Sequence, residues 1–161
     1  MGIPILNADG LLPPGIHRLT VDEFEAMFVD GMNDTEHRRR IFKRWRLHRA
    51  HLQNLVPISH QWIDGSFVTA KPKPADIDVV TFFDGSDFDV LPPMEKDMFQ
   101  GLLDGSSTRA RWTVDSYGVA RMSGSDAERR AYDIATGYWK KQWSSVRDQP
   151  ALRKGFVEVI A

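Results

Sequence analysis

The side chains best placed for chemistry lie in His60–Val80, HQWIDGSFVTAKPKPADIDVV. An apolar run ends there in Gly65-Ser66, a nine-residue Lys/Pro-rich connection follows, and Asp76-Ile77-Asp78 stands inside a second apolar run. Successive side chains of a strand point to opposite faces, so Asp76 and Asp78 share one face about 7 Å apart, while Ile77, Val79 and Val80 can enter a core. Carboxylates so paired repel unless a cation sits between them, and Mg²⁺ or Mn²⁺, which prefer carboxylate and phosphate oxygens, are the natural occupants. Gly65 lets backbone come close to a ligand and Ser66 adds a hydroxyl. Together the two halves suit a metal-bound triphosphate.

A third carboxylate is available in Arg111–Tyr117, RWTVDSY. Read as a strand, it turns Trp112 and Val114 one way and Thr113 and Asp115 the other. Adjacent strands lie roughly 4.8 Å apart, which would set Asp115 beside Asp76 and Asp78 and give enough carboxylates for two metals. Each signal alone has a plainer explanation: a solvated strand edge for Asp-x-Asp, a turn for Gly-Ser, an ordinary surface residue for Asp115. Their order, and the apolar flanks that make both runs buried strands, favour a site. Competing chemistry is thin. The chain has neither a P-loop nor a Gly-x-Gly-x-x-Gly turn, and Ser66 lacks a nucleophile elbow. Asp84–Asp89 lacks the spacing of a calcium loop and reads as a surface loop. His48 and His51 have no third ligand nearby and belong to a helix surface and core edge.

The order apolar-Gly65-Ser66, nine residues, then Asp76-x-Asp78 between apolar residues resembles the signature of the DNA polymerase β-like nucleotidyltransferase superfamily, over Trp62–Tyr117. The resemblance implies an α+β nucleotidyltransferase fold, a small mixed sheet packed with helices. It implies transfer of a nucleoside monophosphate from an NTP, ATP foremost, to a hydroxyl of a protein, RNA or small molecule. Asp76 and Asp78 would bind the metal that escorts the triphosphate, Asp115 would serve the second metal and the acceptor hydroxyl, and Gly65 and Ser66 would hold the β- and γ-phosphates. With no recognisable second domain to choose an acceptor, the chain is most similar to the stand-alone minimal nucleotidyltransferases of bacterial toxin–antitoxin and defence loci. The alternative is a catalytically silent module of the same fold that binds a partner protein or nucleic acid.

These residues need a scaffold, and 161 residues suffice for one domain over 1–161 that buries roughly two-thirds of its extended surface. Hydrophobic content of 42% and charge of 27% are globular values, and 21 basic against 22 acidic residues give no global attraction to a polyanion. The absence of cysteine excludes disulfides, thiolate metal sites and cysteine nucleophiles. No apolar run is long enough to span a bilayer and no signal peptide is apparent, so the expected location is the cytoplasm. Met1-Gly2 does not open a myristoylation motif, because Leu6 replaces the required hydroxyl residue.

The element pattern begins with an apolar surface arm over residues 1–19. Thr20–Glu23 is a capping box for a short helix to Val29, with Leu19 and Phe24 as a hydrophobic staple. A longer helix runs from Asn33 or Asp34 to Leu55, with Ile41, Trp45, His48, Leu52 and Leu55 as its core stripe. Its other face carries Arg38, Arg39, Arg40, Lys43, Arg44, Arg46 and Arg49. Nucleic-acid contact through Arg38, Arg39, Lys43 and Arg46 is one reading of that face; a solvated surface balanced by acidic neighbours is the other, and the near-neutral total favours it. Strands follow at Gln61–Gly65 and Asp76–Phe82. Next comes a helix from Pro92 or Pro93 to Leu103 with Met98, Phe99, Leu102 and Leu103 inward, then a loop over Gly105–Arg109 and the Asp115 strand. Ser125–Glu128 caps a helix to Val146, with Ala131, Ala135, Tyr138 and Val146 on one stripe and Trp139 and Trp143 on another, expected in the core. Gly155–Ile160 closes the chain as an edge strand.

Overall fold

The computed structural model describes residues 3–160; Met1 and Gly2, where a myristoylation motif would begin, lie outside them. Part of the apolar arm is itself sheet. β1 (Gly15–Leu19) pairs in parallel with the final strand, because its side chains Ile16 to Leu19 alternate against Phe156 to Val159. Leu19 and Phe24 are both buried, and the Thr20–Glu23 capping box forms with both of its reciprocal bonds, opening α1 (Val21–Glu25), which continues as a π-helical turn through Asp30. α2 (Thr35–Leu55) then crosses one face of the sheet, burying Ile41, Phe42, Trp45, His48 and Leu52.

β2 (Ile58–Asp64) and β3 (Ile77–Asp84) pair antiparallel, with Trp62 opposite Val80 and Asp64 opposite Asp78. The expected Asp84–Asp89 loop is instead a short helix, α3 (Gly85–Asp89), since Asp84 caps it by accepting from the Ser86 N–H. α4 (Pro93–Gly101) buries Phe99, but Met98 is 55% exposed, turned away from the sheet. The segment expected as loop and early strand is also helical: a 3₁₀ turn over Ser106–Thr108 leads into α5 (Arg109–Trp112), and β4 (Val114–Arg121) begins only after it. β4 runs parallel to β3.

α6 (Asp126–Trp143) covers the opposite face of the sheet. Its Ser125–Glu128 capping box forms as expected, yet it stops at Trp143 because Ser145–Val146 (β5) turns back to pair with Gln149–Arg153 (β6). Ala131 and Tyr138 face outward, whereas Trp139 and Trp143 pack against Trp62, Tyr117 and Phe156, as core aromatics should.

β7 (Gly155–Ile160) is not an edge. The five-stranded mixed sheet has the order β1-β7-β2-β3-β4, so β7 lies between β1 and β2 and buries Phe156, Val157 and Val159. Glu158, its one charged residue, stays in the sheet by accepting from Arg18 and the Trp62 indole N–H. The result is a mixed α+β architecture, a five-stranded mixed sheet between α2 and α6. Among the described residues no helix is long and apolar enough to cross a membrane.

Candidate active site at the acidic end of the sheet

The sheet topology brings the last residue of β2 and the first residues of β3 and β4 to one end. Register pairs Asp64 with Asp78 and Asp78 with Asp115, so three carboxylates form a row across three neighbouring strands at strand spacing of roughly 4.8 Å. Asp76 precedes β3 and joins the row from the side. The placement expected for Asp76, Asp78 and Asp115 therefore holds, although Asp115 arrives differently: Arg111 and Trp112 belong to α5, not to its strand.

Local chemistry fixes this arrangement. Gly65 has φ 82° and ψ −169°, a conformation open in practice to glycine alone, and a Cβ there would overlap the Asp78 Oδ2 atom. Glycine at this point thus lets the chain leave β2 directly against the Asp78 carboxylate. Ser66 starts a 3₁₀ turn (Ser66–Val68), with its carbonyl receiving the Thr69 hydroxyl at 2.8 Å. The connection that follows is held by α2. Arg38 is fully buried and donates to the carbonyls of Phe67, Thr69 and Lys71 at 2.6, 3.0 and 2.8 Å and to that of Phe28 at 3.1 Å, while its Nε binds Asp34 at 2.9 Å. His37 donates to the Pro74 carbonyl at 2.7 Å.

This corrects the reading of the basic helix face. Arg38 is a tether for the loop between Gly65-Ser66 and Asp76, and Arg49 is buried too, donating to Gln61 at 3.0 Å, which in turn donates to Thr81. Neither can touch a nucleic acid. Arg39 pairs with Asp30 and Arg40 with Glu36, leaving Lys43, Arg44 and Arg46 exposed on that face. His48 is likewise a core residue: burial pushes its imidazole down to about 4, and Nε2–H donates to the Leu102 carbonyl at 2.8 Å.

Two cations bracket the acidic row. Arg109 reaches Asp76 Oδ2 with Nε at 2.7 Å and Asp115 Oδ2 with Nη2 at 2.5 Å. It is aimed there because Thr113, left-handed at φ 54°, ends α5, and its carbonyl accepts the Ile77 N–H at 3.0 Å, tying α5 to the start of β3. At the other end the Lys154 ammonium bonds the buried Asp64. Asp78, in the middle, is flanked by carboxylates. Burial, reinforced by the charges of Asp76 and Asp115, pushes its pKa up to about 6, and burial lifts Asp64 to about 7 against the pull of Lys154. Asp76 is raised by burial despite Arg109. Asp115 is 7% exposed, and its Oδ1 is buried without a hydrogen-bond partner among the described residues. Tyr117, two residues further along β4, packs on Trp139 with ring centroids 4.8 Å apart and walls the row on the α6 side.

Sequence reasoning singled out Asp76, Asp78, Asp115, Gly65 and Ser66, which the fold brings to one end of the sheet, but not their neighbours Asp64, Arg109 and Lys154. Asp64 was detectable, because it continues the His60–Trp62 alternation onto the face shared with Asp78. Arg109 and Lys154 carry no local signal, since each meets its partner only through the folded topology. Among the described residues no three carboxylate or imidazole side chains stand in a metal-coordinating arrangement; Arg109 takes a cation's place on two of the carboxylates.

Fold and site together define a mixed α+β protein with a cation-bracketed carboxylate row at one end of its sheet. The chain belongs to the family described as "Family of unknown function (DUF6932)", whose model matches residues 4–160. No curated protein and no solved structure matches it.

Proposed function

We propose that the chain is a metal-dependent nucleotidyltransferase, with a nucleotidyltransferase-type fold, that moves a nucleoside monophosphate from an NTP, ATP foremost, to a hydroxyl of a protein, RNA or small molecule. The observation that carries the reading is the convergence of Asp78 and Asp115 on parallel neighbours β3 and β4 with Asp76 just ahead of β3, and with Gly65-Ser66 leaving β2 against Asp78.

Two carboxylates of the row keep capacity that a divalent cation would use. Among the described residues Asp78 has no ion pair and a pKa raised by burial and then by Asp76 and Asp115, and Asp115 holds a buried oxygen with no partner, so both have unused capacity for a hard cation. Asp76 and Asp78 would hold the ion beside the triphosphate, and Asp115 would complete a second position. When bound, Mg²⁺ or Mn²⁺ supplies Lewis-acid stabilisation of phosphoryl charge and a lower pKa for the acceptor hydroxyl. Gly65, without a side chain, allows phosphate oxygens to approach the backbone, and the Ser66 hydroxyl can donate to them.

A second reading, a catalytically silent module that binds a protein or nucleic acid, is favoured by one observation: Arg109 already neutralises two of the carboxylates. Calorimetric titration with Mg²⁺–ATP, followed by incubation with labelled NTPs and a cell extract, separates the two. Metal-dependent ATP binding and label on an acceptor support the transferase. Intact NTP and no binding at millimolar metal would leave the silent module.

A further inference from the structure

We infer that Arg109 is a displaceable counter-ion, which stabilises the acidic row in the metal-free chain and gives way when a divalent cation arrives; this rests on the reading above. The cations of this protein fall into two kinds. Arg38, Arg49 and Lys154 are buried and held by several partners or by a buried carboxylate, so removing them would leave polar groups stranded. Arg109 is different: its side chain is 50% exposed, it stands on a four-residue helix, and among the described residues its side chain pairs only with the Asp76 and Asp115 carboxylates. Exposed ion pairs hold weakly because water competes for both charges.

Its position is that of an ion rather than of a structural strut. The guanidinium joins the Asp76 carboxylate, just ahead of β3, to that of Asp115 on β4, yet forms no ion pair with Asp78, which faces Asp115 across the strand pair. Asp115 gives it one oxygen and keeps the other buried and unpartnered. Asp78 and Asp115 stand opposite each other on β3 and β4, and a divalent cation between them would take up the buried Asp115 oxygen that a planar monocation leaves unmet. Arg109 must move for that to happen, since two cations on the same oxygens repel. Its exposure leaves room for the movement, and a displaced guanidinium remains close enough to meet an anionic phosphate.

The test is a titration of the full chain with Mn²⁺ alone, read as free Mn²⁺ by electron paramagnetic resonance. Arg109→Ala should bind Mn²⁺ about tenfold tighter than the parent, and Arg109→Lys, which keeps the charge, should stay within about twofold. Arg111→Ala removes the same charge two residues further along the same helix and should also stay within about twofold, which separates displacement from a general field effect. Arg109→Met replaces the alanine variant should that fail to fold. Equal Mn²⁺ affinity in the parent and Arg109→Ala, with Mn²⁺–ATP still bound by the parent, would overturn the counter-ion role and leave the proposed activity standing. No Mn²⁺ binding by any folded variant, with or without ATP, would overturn both.

Discussion

Asp78 concentrates the conflict between stability and function. It lies between Asp64 and Asp115 in the row, and its pKa stands near 6 against an ordinary 3.8. A carboxyl raised in the folded state contributes stability that is full below the unfolded pKa and is lost as pH rises through the folded one. Two units correspond to about 3 kcal/mol. Asp78→Asn should therefore melt like the metal-free parent below pH 4, progressively higher than it as pH rises from about 4 to about 6, and by a constant margin above that, while losing Mg²⁺–ATP binding. An asparagine variant that melts lower at neutral pH, or retains the parent's stabilisation by Mg²⁺–ATP, would refute the assignment. Asp115→Asn should part from it: ATP binding is kept and transfer is lost, visible as normal calorimetry with no labelled acceptor, because its role is at the second metal and the hydroxyl.

At the scale of elements, the site depends on how α2 and the Gly65 corner hold the 66–76 connection. Arg38 satisfies four carbonyls and Asp34 with one buried guanidinium. Arg38→Met should cost about 3–5 kcal/mol in urea unfolding, since the freed carbonyls and carboxylate are left without a buried partner. A loss no greater than an exposed arginine's, such as Arg46→Met, would contradict the tether. Gly65→Ala should cost about 1–3 kcal/mol through strain alone and should also abolish ATP binding, because its methyl group must displace the Asp78 carboxylate. The exposed Lys43 and Arg46, in contrast, can change without touching the fold.

For the molecule as a whole, raised carboxyls at one end of the sheet oppose a depressed histidine in the core. Asp64 and Asp78 favour low pH, whereas His48, held near 4 by burial, contributes stability that is present above its unfolded pKa of about 6.5 and lost as pH falls toward 4. The two tendencies oppose each other in the metal-free protein between about pH 4 and 6.5, so the difference between parent and Asp78→Asn is the informative quantity rather than either curve alone.

The sequence by itself determined the α+β class, both capping boxes, α2 and its core stripe, and the two aspartate-bearing strands, because capping and apolar periodicity are local physics. It also supplied Asp76, Asp78 and Asp115, whose spacing relative to apolar neighbours sets the face they occupy. The burial of Arg38 and Arg49 was not legible, since a helix of seven basic residues looks the same whether loop carbonyls or water receive them. The central position of β7 depended on β1 pairing with it from 140 residues away, a contact that no periodicity announces. The charges at the ends of the acidic row came by the same route. Lys154 lies 90 residues from Asp64, and Arg109 reaches Asp76 only because Thr113 ties α5 to β3. Local sequence chose the carboxylates; the sheet's strand order chose which cations stand beside them.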